Sequence, residues 1–136
     1  MPKKKGGEFL TQREIDVLNI LWNAKTHMVA SEIVKTSEAL SINTVQAVLR
    51  DLLQKGLVEV AEIVYSGKVL SRSYRATEIS RQQMSEQFAT RYKELTKGIP
   101  PSMLFAAMFD DSDVTEAEIN ELEMFIREKK DALRRG

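Results

Sequence analysis

The chain has 136 residues, no cysteine and one histidine, which excludes disulfides, thiolate metal sites, cysteine catalysis and any site needing two histidines. Its 43% apolar content is enough for one or two small cores, yet no run approaches the roughly 20 apolar residues of a membrane-spanning helix. Net charge is zero but unevenly placed: residues 1–98 hold 15 Lys/Arg against 11 Asp/Glu, and residues 99–136 hold 5 against 9, so any nucleic-acid face belongs to the front. The basic start Met1-Pro2-Lys3-Lys4-Lys5 is followed by no apolar run, so no signal peptide is read and a cytoplasmic protein is expected.

Residues 1–8 are expected to be disordered. Thr11-Gln12-Arg13-Glu14 reads as a capping box, with Leu10 and Ile15 as its hydrophobic staple. Ile15, Leu18, Leu21 and Trp22 form the buried stripe of a first helix ending near Ala24 or Lys25. Trp22 offers a stacking surface, but its place in that stripe favours core packing. His27 lies in a connector with no second ligand in view, and Met28-Val29 suits a brief strand. Ala30 to Glu38 reads as a short second helix with Ile33 and Val34 inward, turning through Ser37 to Leu40.

The third helix spans Ser41 to Gly56. Val45, Val48, Leu49, Leu52 and Leu53 fall at the spacing of one buried helical face. Ser41 suits the N-cap, Leu40 and Val45 a second staple, and Gly56 the stop. The outer face keeps Asn43, Thr44, Gln46, Ala47, Arg50 and Gln54, where an ordinary solvated helix would carry Glu and Lys. Amides pair with adenine, Arg with guanine, and Ala or Thr methyls with the thymine methyl. Helix, short turn and helix is the arrangement whose second helix enters the DNA major groove.

Beyond Gly56, Leu57 to Tyr65 is β-rich, Ser66-Gly67-Lys68 is a tight turn, and Val69 to Tyr74 returns as the second strand of a hairpin. Three helices followed by a hairpin define a winged helix. Lys68 at the tip, with Arg72 and Arg75 on the return strand, suits backbone phosphates; the alternative is solubilising charge on an exposed ribbon. Tyr65 and Tyr74 are expected to pack across the strands.

The rest is helical. Ser80-Arg81-Gln82-Gln83 suggests another capping box, opening a helix to about Lys97 before Gly98. Met84, Phe88, Tyr92 and Leu95 line one side of it. Pro100-Pro101 starts the next helix, whose stretch Met103, Leu104, Phe105, Ala106, Ala107, Met108 and Phe109 is almost without polar residues. Asp110 to Asp113 is an acidic loop. Val114 to Ile119 combines staple and capping box for a final helix to about Leu133, with Ile119, Leu122, Phe125, Ile126 and Leu133 as its apolar set. So few residues struggle to hide this surface alone, which points to a second copy of the chain covering residues 80–133; packing back onto the winged helix is the alternative. The interface between copies is expected at Met84, Phe88, Tyr92, Met103, Leu104, Phe105, Met108, Phe109, Ile119, Leu122, Phe125 and Ile126. The expected class is mainly α with a small β-hairpin wing: a winged helix over residues 9–77 and an all-α dimerisation region over residues 78–136.

Three segments carry a resemblance: L-T-Q-R-E-I-D-V-L-N-I-L-W, T-V-Q-A-V-L-R-D-L-L-Q-K-G-L-V and D-V-T-E-A-E-I-N-E-L. With the order of wing, long helix, apolar helix and tail helix, they make residues 10–130 similar to the penicillinase and methicillin-resistance repressors, with the copper-responsive CopY repressors as relatives. The resemblance implies an intertwined homodimer that binds a pseudo-palindromic operator and represses resistance genes. By position, Asn43, Thr44, Gln46, Ala47 and Arg50 would face the major groove, while Lys68 and Arg72 would steady the wing on the backbone. Two features of the family are missing. The β-lactam-responsive repressors are cleaved at an Asn-Phe bond near the apolar helix, where this chain has Lys97-Gly98-Ile99-Pro100-Pro101-Ser102 and nowhere an Asn-Phe. The CopY relatives sense metal through C-terminal cysteines, and this chain has no cysteine.

The expected partners are double-stranded DNA and a second copy of the chain, with an inducer or sensor unidentified and no cofactor or metal. A winged-helix protein-interaction module is the alternative, favoured by net neutrality and the acidic tail. A third class, an enzyme using Asp110, Asp111 and Asp113 around a cation, lacks a phosphate loop and a paired acid and base.

Overall fold

The computed structural model describes residues 10–110 and 113–136; the expected disorder of residues 1–8 and the carboxylate of Asp111 lie outside the described residues. The chain divides into two compact units, the first ending at Lys93 and the second spanning Glu94–Gly136.

In the first unit, α1 (Gln12–Asn23), β1 (Met28–Val29), α2 (Ala30–Thr36) and α3 (Ile42–Gln54) precede a hairpin of β2 (Val58–Ser66) and β3 (Val69–Ala76). A further helix, α4, covers Ser80–Leu95. The capping box of α1 forms as its sequence predicts, with the Thr11 hydroxyl accepting from the Glu14 N–H and the Glu14 carboxylate accepting from the Thr11 N–H. Val17, Leu18 and Leu21 of α1 meet Ile33 of α2 and Val45, Val48, Leu49 and Leu52 of α3 in one core. The second helix stops at Thr36, two residues short of expectation, where Ser37 turns extended and its N–H bonds Val34.

The end of α3 shows why Gly56 is needed. Its N–H bonds the Leu53 carbonyl while the Leu57 N–H bonds Leu52, the paired bonds of a Schellman stop. That geometry requires a left-handed residue, and Gly56 has φ 76°. Leu57, fully buried, thereby enters the core instead of the hairpin.

The sheet is antiparallel with order β1-β3-β2. Ser66 faces Val69, so the tip is a two-residue turn of Gly67 and Lys68. A positive φ at Gly67 alone suits the right-handed strand twist that such turns must match. A bulge between Val60 and Glu62 lets Ser73 turn its buried hydroxyl onto both backbone groups of Glu62.

At the start of α4 the structure corrects two expectations. Ser80 does not cap the helix but lies within it, donating to the Thr77 carbonyl and accepting from the Trp22 indole N–H at 2.8 Å. Trp22, half-buried against the core, acts as an anchor for α4, and Arg81 lies 5.7 Å from its ring centroid. Met84, expected between two copies, is only 5% exposed and belongs to the winged-helix core of its own chain. The physical reason is the Trp22–Ser80 bond, which seats the first turns of α4 over that core.

The second unit contains α5 (Pro101–Asp110) and α6 (Glu116–Arg135). Pro101 takes the first helical position, and Thr115 with Glu118 closes the capping box of α6. No residue of either helix is buried.

Candidate nucleic-acid interface

The site grows from α3. Its N-cap is Ser41, whose hydroxyl accepts from the Thr44 N–H. With Val45, Val48, Leu49 and Leu52 buried, the 3.6-residue period turns Asn43, Gln46, Ala47, Arg50 and Gln54 outward together, all exposed. These five expected residues are brought onto one continuous face. Among the described residues, the Arg50 guanidinium has no ion-pair or hydrogen-bond partner, so all its donors face solvent.

Thr44 differs from the others. It is half-buried, and its hydroxyl accepts from Arg13 Nη1 at 3.2 Å and from Ser41 at 3.0 Å. Arg13 is the residue that sequence reasoning did not single out. Lying 31 positions upstream, it reads as an ordinary helix-start charge; only packing of α1 beside α3 carries it to the first turn of the outward helix.

On the wing, Lys68 and Arg72 are exposed and unpaired among the described residues, whereas Arg75 donates to the Glu59 carboxylate at 2.7 Å. The charges of Lys68 and Arg72 are thus uncompensated by a neighbour, whereas that of Arg75 is paired. His27 is held by Glu62 at 2.6 Å. Among the described residues no three His, Cys, Asp or Glu side chains are grouped to hold a metal ion.

The second unit supplies a different surface. Met103, Phe105, Met108 and Phe109 of α5 and Ile119, Phe125 and Ile126 of α6 are exposed, with Leu104 and Leu122 half-buried. Met124 and Leu133, outside the expected interface, are exposed as well. In α4, Phe88 is exposed and Tyr92 half-buried. No described helix is long and apolar enough to cross a membrane.

A family model described as the penicillinase repressor matches residues 10–128. No curated protein matches the chain. Among solved structures, it is similar to a MepR mutant from a multidrug-resistant S. aureus clinical isolate at 16% identity, covering 92% of this chain and 80% of that one with a TM-score of 0.50. Another S. aureus MepR mutant, solved bound to an oligodeoxyribonucleotide, matches at 16% identity and TM-score 0.46 over 91% of this chain and 80% of that one. A PadR family transcription regulator from hypervirulent Clostridium difficile matches at 20% identity and TM-score 0.47, over 64% and 93% respectively. The likeness to the first of these shows the winged-helix fold.

Proposed function

The chain belongs to the penicillinase repressor family, and from that premise we propose that it is a homodimeric repressor that reads a pseudo-palindromic operator and carries no catalytic activity. The observation that carries this is the outer face of α3: amides, a methyl and an unpaired guanidinium turned to solvent by a fully apolar inner face. Asn43, Gln46, Ala47, Arg50 and Gln54 lie at the spacing with which a helix in the major groove meets successive base edges. Thr44 is held by its local bonds and serves mainly to place Arg13 and the helix start. Lys68 and Arg72 add phosphate contacts that fix register without reading sequence. The exposed apolar surface of α5 and α6 suits a second copy, and a two-fold protein suits a two-fold operator. Resistance or stress-response genes are the proposed targets, in line with the family.

The test is binding to DNA from immediately upstream of the protein's own gene, titrated with salt and with scrambled competitor. Tight binding that falls steeply with salt and yields only to competitor carrying an inverted repeat is expected. Arg50→Ala should cost about 1–3 kcal/mol and relax base choice at one position. Equal losses on cognate and scrambled DNA would make Arg50 a phosphate contact instead. Net neutrality and the acidic tail favour a second possibility, a protein-interaction module, for which DNA binding would be weak and indifferent to sequence.

A further inference from the structure

The outer wing leaves large apolar side chains uncovered. Cross-strand partners share a face, so the register places Ile63, Tyr65, Leu70 and Arg72 together on one side of the outer hairpin. Ile63 is 63% exposed, Tyr65 73% and Leu70 58%. The opposite side carries Val64, Ser66 and Ser71, all half-buried, and at the tip Val69, 65% exposed; the Ser66 hydroxyl lies 3.5 Å from Ser31 on α2. Nearer the base the first side continues into Tyr74 and Val58, which pack on the core, so Ile63, Tyr65 and Leu70 prolong the core-facing side of the sheet but are themselves left uncovered. Tyr65 does lie opposite Leu70, as pairing across the strands predicts, but that contact leaves most of its ring uncovered.

Charge on the hairpin is sorted in the same way. Glu59 and Glu62 both sit on the serine side, Glu59 2.7 Å from Arg75 and Glu62 2.6 Å from His27. The apolar side has one charge, Arg72, and the tip has Lys68; both are unpaired among the described residues. An apolar patch bordered only by unpaired cations complements a surface that is itself apolar between rows of negative charge. The walls of a DNA minor groove, deoxyribose between phosphates, have that character, and architectural proteins press apolar side chains into them. The patch also belongs to the same compact unit as α3.

Given the DNA-binding function proposed above, on which this rests, we infer that Ile63, Tyr65 and Leu70 pack into the minor groove beside the half-site read by α3, with Lys68 and Arg72 on its phosphates. The wing then adds affinity through contacts that release no counterions, which separates it from an ordinary basic wing.

The experiment uses the full chain and a 30-base-pair duplex selected by it from a random pool, with affinity measured across a potassium chloride series. Tyr65→Ser and Leu70→Ser should each weaken binding by on the order of tenfold, the loss of one buried apolar side chain, with the salt slope unchanged. Tyr65→Phe should bind like the parent. Lys68→Ala should instead lower the slope by about one. Because both apolar residues are exposed, their serine variants should melt like the parent, and a variant that does not is replaced by Leu70→Thr. Parental affinity for the duplex in both serine variants would overturn the inference. So would loss of binding to phosphatidylglycerol vesicles in those variants with duplex binding intact, which would make the patch a membrane contact. A parent chain that selects no sequence and shows no salt-dependent binding would defeat the proposed function itself, a separate outcome.

Discussion

Glu14 ties together two elements of the winged helix, the start of α1 and the end of α3. One carboxylate oxygen accepts from the Thr11 N–H and closes the capping box, while the other accepts from Lys55 at 2.8 Å, at the far end of α3. The side chain is buried, yet Lys55 keeps 22% of its own exposed and can turn to water. Removing Glu14 therefore costs less than breaking a fully buried pair. Glu14→Ala should lose about 2–3 kcal/mol, from the cap and the ion pair together, read as a lower urea midpoint at unchanged slope. Glu14→Gln keeps an acceptor for Thr11 and should lose less. At the same scale, Arg13 and Thr44 show how a base-contact assignment changes with packing. The sequence places Thr44 on the outer face, which is right by angle, but its hydroxyl already has two donors. Arg13→Ala should weaken cognate and scrambled DNA by a similar factor, since a guanidinium at the helix start meets backbone rather than bases; a loss confined to cognate DNA would give Arg13 a reading role.

Each element's ends follow from few residues. Thr11, Ser41 and Thr115 accept from the N–H three residues on, and Gly56 and Gly67 provide the two positive φ angles among the described residues. At Gly67 a Cβ would meet nothing within 4 Å, so its substitution carries a purely conformational cost. Gly67→Ala should cost roughly 1 kcal/mol, and hydrogen exchange of the wing-tip amides should speed up about fivefold. Unchanged exchange would mean the turn relaxes into another type. Ser80 marks the limit of such local reasoning. Ser-Arg-Gln-Gln fits a cap pattern, yet the indole of Trp22, 58 positions away, is hydrogen-bonded to that hydroxyl. A bond from a distant residue outweighs a local cap when it also satisfies a partly buried donor.

For the whole molecule the open account is apolar surface. Helices α5 and α6 bury no residue, and a patch of this size on a free chain would be a liability. A second copy covering it is the proposed solution. Phe125→Asp together with Met108→Asp should convert a dimer into a 15.5 kDa species in sedimentation and weaken operator binding by removing one of two half-site contacts. An unchanged sedimentation coefficient would move the interface elsewhere. Met84 no longer belongs in that interface, being part of its own chain's core.

Periodicity and end signals by themselves determined the helices, the hairpin and the outward face of α3, because those depend on residues within a few positions of one another. Asn43, Gln46, Ala47 and Arg50 were legible for that reason. Tertiary structure alone decided that Arg13 reaches Thr44, that Trp22 claims Ser80, and that Met84 turns inward. It also decided that Ile63, Tyr65 and Leu70 stay uncovered although they share a face with core-packed Tyr74, since alternation names two faces of a strand but not how far along it the body's cover reaches. Such choices depend on contacts between residues far apart in sequence, which no local pattern records.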